Sequence, residues 1–248
     1  VIRFQHNNPA DLEKRLQRLG DRVGSTLVVV EGIYSMLGDR APLREIADVK
    51  NRFGAALLVD EAHSMGVLGE HGRGLAEALD VEAEVDFITG TFSKSLGSIG
   101  GFCVSRSPEL EYVRYAMRPY IFTASSSPSL IASTRKALEV LHHSSALRKK
   151  LWDNATQLYQ GLAAMGFELG PEISPVIAVR LPASVGETTA LWNELLSQGI
   201  YVNLVLPPAT PGGKPLLRCS LSAAHSQAQI QAILDAFALI REKLQSHA

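Results

Sequence analysis

The sequence predicts an α/β fold in which a mostly parallel sheet is followed by a small α+β C-terminal region. Two observations carry this. Residues 26–31 (TLVVVE), 56–60 (ALLVD) and 85–90 (VDFITG) are short, β-branched, almost continuously apolar runs, which is how strands buried on both faces of a parallel sheet read. Helical patterns separate them: Asp11–Leu19 has apolar residues at helical spacing, and Pro42–Phe53 opens with Pro at a first helical position after the turn signal Gly38–Asp39. The alternation is βαβ. A fourth strand, Gly101–Ser105 (GFCVS), follows a Gly-rich stretch so closely that an antiparallel neighbour fits it. Val1–Phe4 also reads as a strand already under way.

After Pro128 the pattern changes. Leu130–His142 and Ala146–Met165 are long helical segments, then short strand candidates at Val176–Leu181, Ile200–Leu206 and Leu216–Leu221 alternate with helical stretches at Gly186–Gln198 and Gln227–Leu244. The division expected is residues 1–125 for the larger domain and 126–248 for a spacer helix with the small domain. Pro207–Pro215 (PPATPGGKP) reads as a rigid loop because apolar strand candidates border it.

With 24 basic and 25 acidic residues in 248, and no Lys/Arg block, the charge balance speaks against a nucleic-acid groove or a polybasic membrane contact and favours small-molecule chemistry. Apolar runs fall far below the roughly 20 residues that span a bilayer, so no transmembrane segment is expected. Cys103 and Cys219, each in an apolar run and far apart in sequence, suggest neither a disulfide framework nor a metal cage, which fits a reducing, cytoplasmic compartment.

In parallel α/β sheets ligands bind at the carboxyl ends of strands. Three such ends carry polar residues: Glu31–Ser35, Asp60–Ser64 and Gly90–Ser95. Asp60 closes an apolar run, so its carboxylate needs a cation, a proton donor or backbone N–H groups to cap. His63 leaves the same strand three residues later, and the pair suits a heteroaromatic ligand. Lys94 lies in a loop of small residues (Thr91–Gly101) whose glycines allow close backbone approach and whose hydroxyls can hold phosphate. Read alone it is an exposed loop lysine. Together, a carboxylate for a pyridinium nitrogen, an amine for an aldehyde and Ser/Thr hydroxyls for a phosphate are the parts that pyridoxal 5'-phosphate (PLP) requires. The competing reading of Asp60-Glu61-Ala62-His63 as a DEAH-type magnesium strand of an NTPase needs a phosphate loop G-x-x-x-x-G-K-[ST], absent from residues 1–59.

Val30–Asp39 (VEGIYSMLGD), Val59–Gly66 and Gly90–Gly101 together resemble the α-oxoamine synthases, PLP enzymes of fold type I, and the likeness covers essentially the whole chain. Arg118–Ser125, Tyr201–Asn203, Pro207–Pro211 and Leu216–Ser220 look most like the bacterial branch that condenses L-serine with palmitoyl-CoA, with decarboxylation, to give 3-ketodihydrosphingosine, CoA and CO2, the first step of sphingolipid synthesis. A glycine C-acetyltransferase or amino-oxononanoate synthase type of reaction, or a non-catalytic homologous subunit, is the alternative. The resemblance implies that Lys94 holds PLP as a Schiff base, that Asp60 keeps the ring nitrogen protonated, and that His63 hydrogen-bonds near the phenolic oxygen or the thioester. It implies Ser35 beside the phenolic oxygen, Thr91 and Ser93 on the phosphate, Thr123 reaching the phosphate from the second subunit of a homodimer, and Arg218 gripping the substrate carboxylate. The plainer role for Thr123 is a helix cap before Pro128, and for Arg218 a structural ion pair. Leu206 stands where relatives often carry Arg. The resemblance further implies an incomplete large domain, with a Gly-rich turn and a ring-stacking histidine expected upstream, and an isolated segment that is inactive.

Overall fold

The computed structural model describes residues 1–246. Contacts divide the chain into two units, the first formed by Val1–Ile33 with Arg40–Ser145 and the second by Tyr34–Asp39 with the residues from Ala146 onward.

The first unit is built on a four-stranded sheet of β1 (Leu27–Glu31), β2 (Ala56–Asp60), β3 (Phe87–Thr91) and β4 (Gly101–Ser105) in that spatial order. β1, β2 and β3 run parallel, and β4 pairs antiparallel with β3 from Phe87↔Ser105 to Thr91↔Gly101, as the short Gly-rich connection requires. The crossover from β1 to β2 contains α2 (Leu43–Phe53), whose Leu43, Ile46, Ala47 and Val49 are buried at helical spacing. Its Lys50, also buried, reaches Asp86 at 3.0 Å, and the same Asp86 oxygen accepts the Leu57 N–H at 2.7 Å, so the ion pair fastens the entry to β3 against the start of β2. α1 (Pro9–Gln17) begins where sequence chemistry places a start: Pro9 is its first residue and Asn8 caps it by accepting the Asp11 N–H. α3 (Leu75–Ala78) is a single turn before β3.

Three expectations are corrected here. Val1–Phe4 is not a strand: it is irregular chain with Val1 and Ile2 exposed. β1 does not bury both faces, because Val28 and Val30 are covered while Leu27 and Val29 remain 47% and 56% exposed. The helix from Pro128 is capped by Ser127, which accepts the Leu130 N–H, so Thr123 has no capping role. That helix, α6 (Pro128–His143), comes after two short helices that periodicity did not announce, α4 (Leu110–Ala116) and α5 (Arg118–Ile121), neither of which buries a residue. α6 groups with the first unit.

The second unit contains α7 (Ser145–Ala164), β5 (Glu168–Leu169), β6 (Val176–Arg180), α8 (Val185–Ser197), β7 (Asn203–Val205), β8 (Leu216–Ser220) and α9 (Gln227–Ser246). Its sheet is antiparallel throughout, ordered β5-β6-β8-β7. Leu158 and Leu162 of α7, Ile177 and Val179 of β6, Leu217 and Cys219 of β8, and Ile230 and Phe237 of α9 form one apolar core. Ser184 and Glu187 close a reciprocal capping box at the start of α8. Buried Asn154 is satisfied by donating to the Ser222 and His225 carbonyls at 3.2 Å.

Both cysteines are free thiols. Burial pushes the Cys219 thiol up to about 12. Cys219 is therefore expected to escape alkylation at neutral pH until the protein unfolds, whereas Cys103 is exposed; mass-resolved labelling with and without denaturant checks this, and native-state labelling of Cys219 would contradict the buried core position. No helix among the described residues is long and apolar enough to cross a membrane.

Candidate functional site

Because β1, β2 and β3 are parallel and adjacent, their carboxyl ends fall at one edge of the sheet. The register pairs Glu31 with Asp60 and Asp60 with Thr89, so the polar residues just past each strand emerge side by side. Asp60 is partly exposed at the last position of β2, and its Oδ1 accepts the Ala62 N–H at 2.9 Å, which folds the carboxylate over the next turn of chain. His63 sits on that turn, partly exposed.

The Lys94 loop is fixed at its base and open at its tip. The Phe92 N–H donates to the Gly100 carbonyl at 2.9 Å and the Ser98 N–H to the Phe92 carbonyl at 2.7 Å, while Leu96 and Ser98 are buried. The Thr134 hydroxyl of α6 donates to Ser98 Oγ at 2.7 Å and anchors the loop from the helix side. Lys94 itself is exposed, and Gly97 N–H closes a turn on its carbonyl at 3.1 Å. Thr91 and Ser93 stand with their hydroxyls 2.8 Å apart, and Thr91 Oγ1 also accepts the Ser93 N–H at 3.2 Å.

The two loops touch. A Cβ on Gly66 would lie 2.6 Å from Ser95 Cβ, so the chain leaving Asp60 and His63 runs against the residue after Lys94. The first unit thus brings together a carboxylate, an imidazole, an amine and a hydroxyl pair. Thr123 lies in the exposed irregular stretch between α5 and α6.

Two expected residues belong to the second unit. Ser35 is in the turn Tyr34–Asp39, where the Tyr34 N–H donates to the Asp39 carbonyl at 2.8 Å. Arg218 lies on β8 opposite Ala178 and Asn203. Its Nε is buried without a hydrogen-bond partner, and burial pulls the guanidinium below its ordinary value. No ion pair of Arg218 occurs among the described residues. A half-buried arginine with an unsatisfied donor has the chemistry of a carboxylate receptor.

Sequence reasoning missed Glu61. It is 0% exposed between Asp60 and His63, and it accepts hydrogen bonds from the Ser64 hydroxyl and from the N–H groups of Leu75 and Ala76, the latter two at 2.9 Å. Burial raises its carboxyl above the ordinary 4.5, against the lowering effect of those donors. The only signal was an acid prolonging an apolar strand by one residue.

Asp60 closes β2, and Lys94 lies in the loop that follows the neighbouring parallel strand β3. The aminotransferase class I and II family model matches residues 1–237, and the chain belongs to that family. It is similar to the serine palmitoyltransferase of Caulobacter vibrioides, 59% identical over 237 residues, and to that of Sphingomonas paucimobilis, 51% identical over 239 residues; each alignment covers 96% of this chain. Among solved structures, a variant serine palmitoyltransferase of S. paucimobilis with a bound PLP–myriocin aldimine superposes with a TM-score of 0.94 at 48% identity, covering 99% of this chain and 62% of that one. The resemblance to the α-oxoamine synthases and the fold type I architecture are thereby borne out. The chain spans 58% and 56% of the lengths of the two curated relatives.

Proposed function

We propose that the full-length protein is a PLP-dependent acyltransferase that condenses an amino acid, L-serine in the first instance, with a long-chain acyl-CoA such as palmitoyl-CoA, releasing CoA and CO2 and yielding 3-ketodihydrosphingosine. The observation that carries this is the placement of Asp60 and the Thr91–Lys94 loop at neighbouring parallel strand ends, in a chain similar throughout to serine palmitoyltransferases.

The donor set fits the cofactor. Lys94 supplies the amine that tethers the aldehyde carbon, Asp60 the carboxylate for the ring nitrogen, Thr91 and Ser93 hydroxyls for the phosphate, and Ser35 and His63 donors toward the phenolic oxygen. When bound, PLP supplies an electron-withdrawing ring that accepts the electron pair left on the substrate's α-carbon. Arg218 holds the amino acid by its carboxylate, satisfying its buried Nε in doing so. Lys94, released from the tether by the incoming amine, takes the α-proton at Nζ. His63 donates toward the thioester oxygen as negative charge develops there. After the carbon–carbon bond forms and the thiolate departs, CO2 is lost from the carboxylate and a proton is returned to the α-carbon.

A homodimer is part of the reading, with Thr123 contributed to the partner's phosphate site. Supporting it, Tyr112, Tyr115, Tyr120 and Phe122 are all exposed on the segment leading to Thr123. A cytoplasmic location accords with the free thiols.

The test is to supply the full-length protein and PLP with serine, alanine or glycine and a series of acyl-CoAs, measuring CoA release and product mass, with light scattering on the same preparation. Serine with a long-chain acyl-CoA and a two-chain mass are expected. Product with another amino acid alone would transfer the assignment to another α-oxoamine synthase, and no turnover with any pair would leave the non-catalytic subunit.

A further inference from the structure

We propose that Glu61 is a positioning residue for the reaction: its buried carboxylate locks the turn that carries Asp60 and His63, and so fixes where those two side chains point. The inference rests on the roles of Asp60 and His63 proposed above.

Glu61 is a junction in three directions. Its N–H donates to the Thr89 carbonyl at 2.8 Å, continuing the β2–β3 ladder one residue past Asp60. Its carbonyl accepts the Ser64 and Met65 N–H groups at 3.1 and 2.8 Å, closing the turn that contains Ala62 and His63. Its side chain then crosses to residues 14 and 15 positions later, taking the Leu75 N–H on Oε2 and the Ala76 N–H on Oε1, with the Ser64 hydroxyl also on Oε2. Both carboxylate oxygens are therefore used, and each donor is a group that would otherwise be buried unpaired.

The surroundings are shaped to this one side chain. A Cβ on Gly32, just beyond β1, would overlap Glu61 Oε2 and Ser64 Oγ, and a Cβ on Gly74 would overlap the Glu61 carboxyl; Gly74 moreover has φ +119°, which L side chains rarely adopt. The Gly32 N–H donates to the Asp60 carbonyl at 2.8 Å, so the backbone on both sides of the carboxylate is held. Asp60 Oδ1 is oriented by the Ala62 N–H, Ala62 is placed by the 61–65 turn, and that turn is pinned by Glu61. The same turn leads to Gly66, which abuts Ser95 beside Lys94. A carboxylate with no route to solvent thus holds the relation among the three groups assigned to the chemistry.

Glutamine at 61 keeps the volume but offers one acceptor oxygen, so its NH2 must face an N–H or hydroxyl donor and the turn must shift. In the full-length holoenzyme, Glu61→Gln is expected to lower kcat about 10- to 100-fold, as a displacement of reacting groups on the order of 1 Å does, with little change in KM for the amino acid, and to alter the visible circular dichroism of bound PLP. Ser64→Ala, which removes one donor and leaves the carboxylate, is expected to act in the same direction with a smaller effect and serves if the glutamine variant does not fold. Glu77→Gln is the comparison. Glu77 likewise accepts loop N–H groups, from His71 at 3.0 Å and Arg73 at 2.8 Å, but makes none of these contacts to the 61–65 turn; it should lower the melting temperature and leave the cofactor spectrum alone. Unchanged kcat and cofactor dichroism in the position 61 and 64 variants, or an equal spectral change in the Glu77 variant, would overturn the inference. Wild-type protein that fails to bind PLP would instead overturn the functional reading beneath it.

Discussion

Lys94→Ala in the full-length protein should abolish turnover, with kcat falling by at least about 1,000-fold, while the protein remains folded. On the proposed function, two separate contributions disappear with one amine: the covalent hold on the aldehyde carbon and the base that takes the α-proton. The backbone of the loop has its own supports. The loop is held by the Phe92–Gly100 and Ser98–Phe92 backbone bonds and by Thr134 on Ser98, none of which involves the lysine side chain. An exposed substitution of this kind should move stability by no more than about 0.5 kcal/mol. The checks are initial rates with serine and palmitoyl-CoA, thermal melting, and dialysis under native conditions, in which PLP should come away from the variant and stay with the wild type. A variant that keeps its rate would remove Lys94 from the chemistry and the proposed function with it.

Lys94 and Asp60 are legible in the sequence because their positions derive from topology. Apolar runs at 26–31, 56–60 and 85–90 require a parallel sheet, and a parallel sheet delivers the residues just past each strand to one edge. The antiparallel turn of Gly101–Ser105 is legible for a similar reason: the connection from β3 is too short for a crossover. Val1–Phe4 misleads because β-branched and aromatic residues report a preference for pleated surface, and only pairing makes a strand. Leu27 and Val29 mislead in the same way, since an apolar run gives no information on whether both faces are covered in the chain at hand. α4 and α5 are silent because they bury nothing, so no apolar stripe sets their period. β5 is two residues long, below any pattern. The role of Glu61 is faint for a different reason. Its partners are backbone N–H groups 14 and 15 residues away, and no residue type at 75 or 76 records that an acid will cap them.

Asp60→Asn should reduce kcat by about 100- to 1,000-fold with the turn intact, because it removes charge and preserves shape. Asparagine retains a carbonyl oxygen that can still accept the Ala62 N–H, so the bond that folds residue 60 over the turn survives. On the proposed function, the substitution removes the anion that keeps a proton on the ring nitrogen, and without that proton the electron pair left on the α-carbon has a weaker acceptor. Asp60→Ala should be worse by a separable amount. It leaves the Ala62 N–H without its partner and costs about 1 kcal/mol of stability in addition, which thermal or urea unfolding would register as a difference between the two variants. The pair of substitutions therefore divides the residue's electrostatic contribution from its structural one. Equal rates for the asparagine variant and the wild type would place the ring-nitrogen partner elsewhere, and equal unfolding curves for the two variants would mean that the Ala62 bond contributes nothing to the turn.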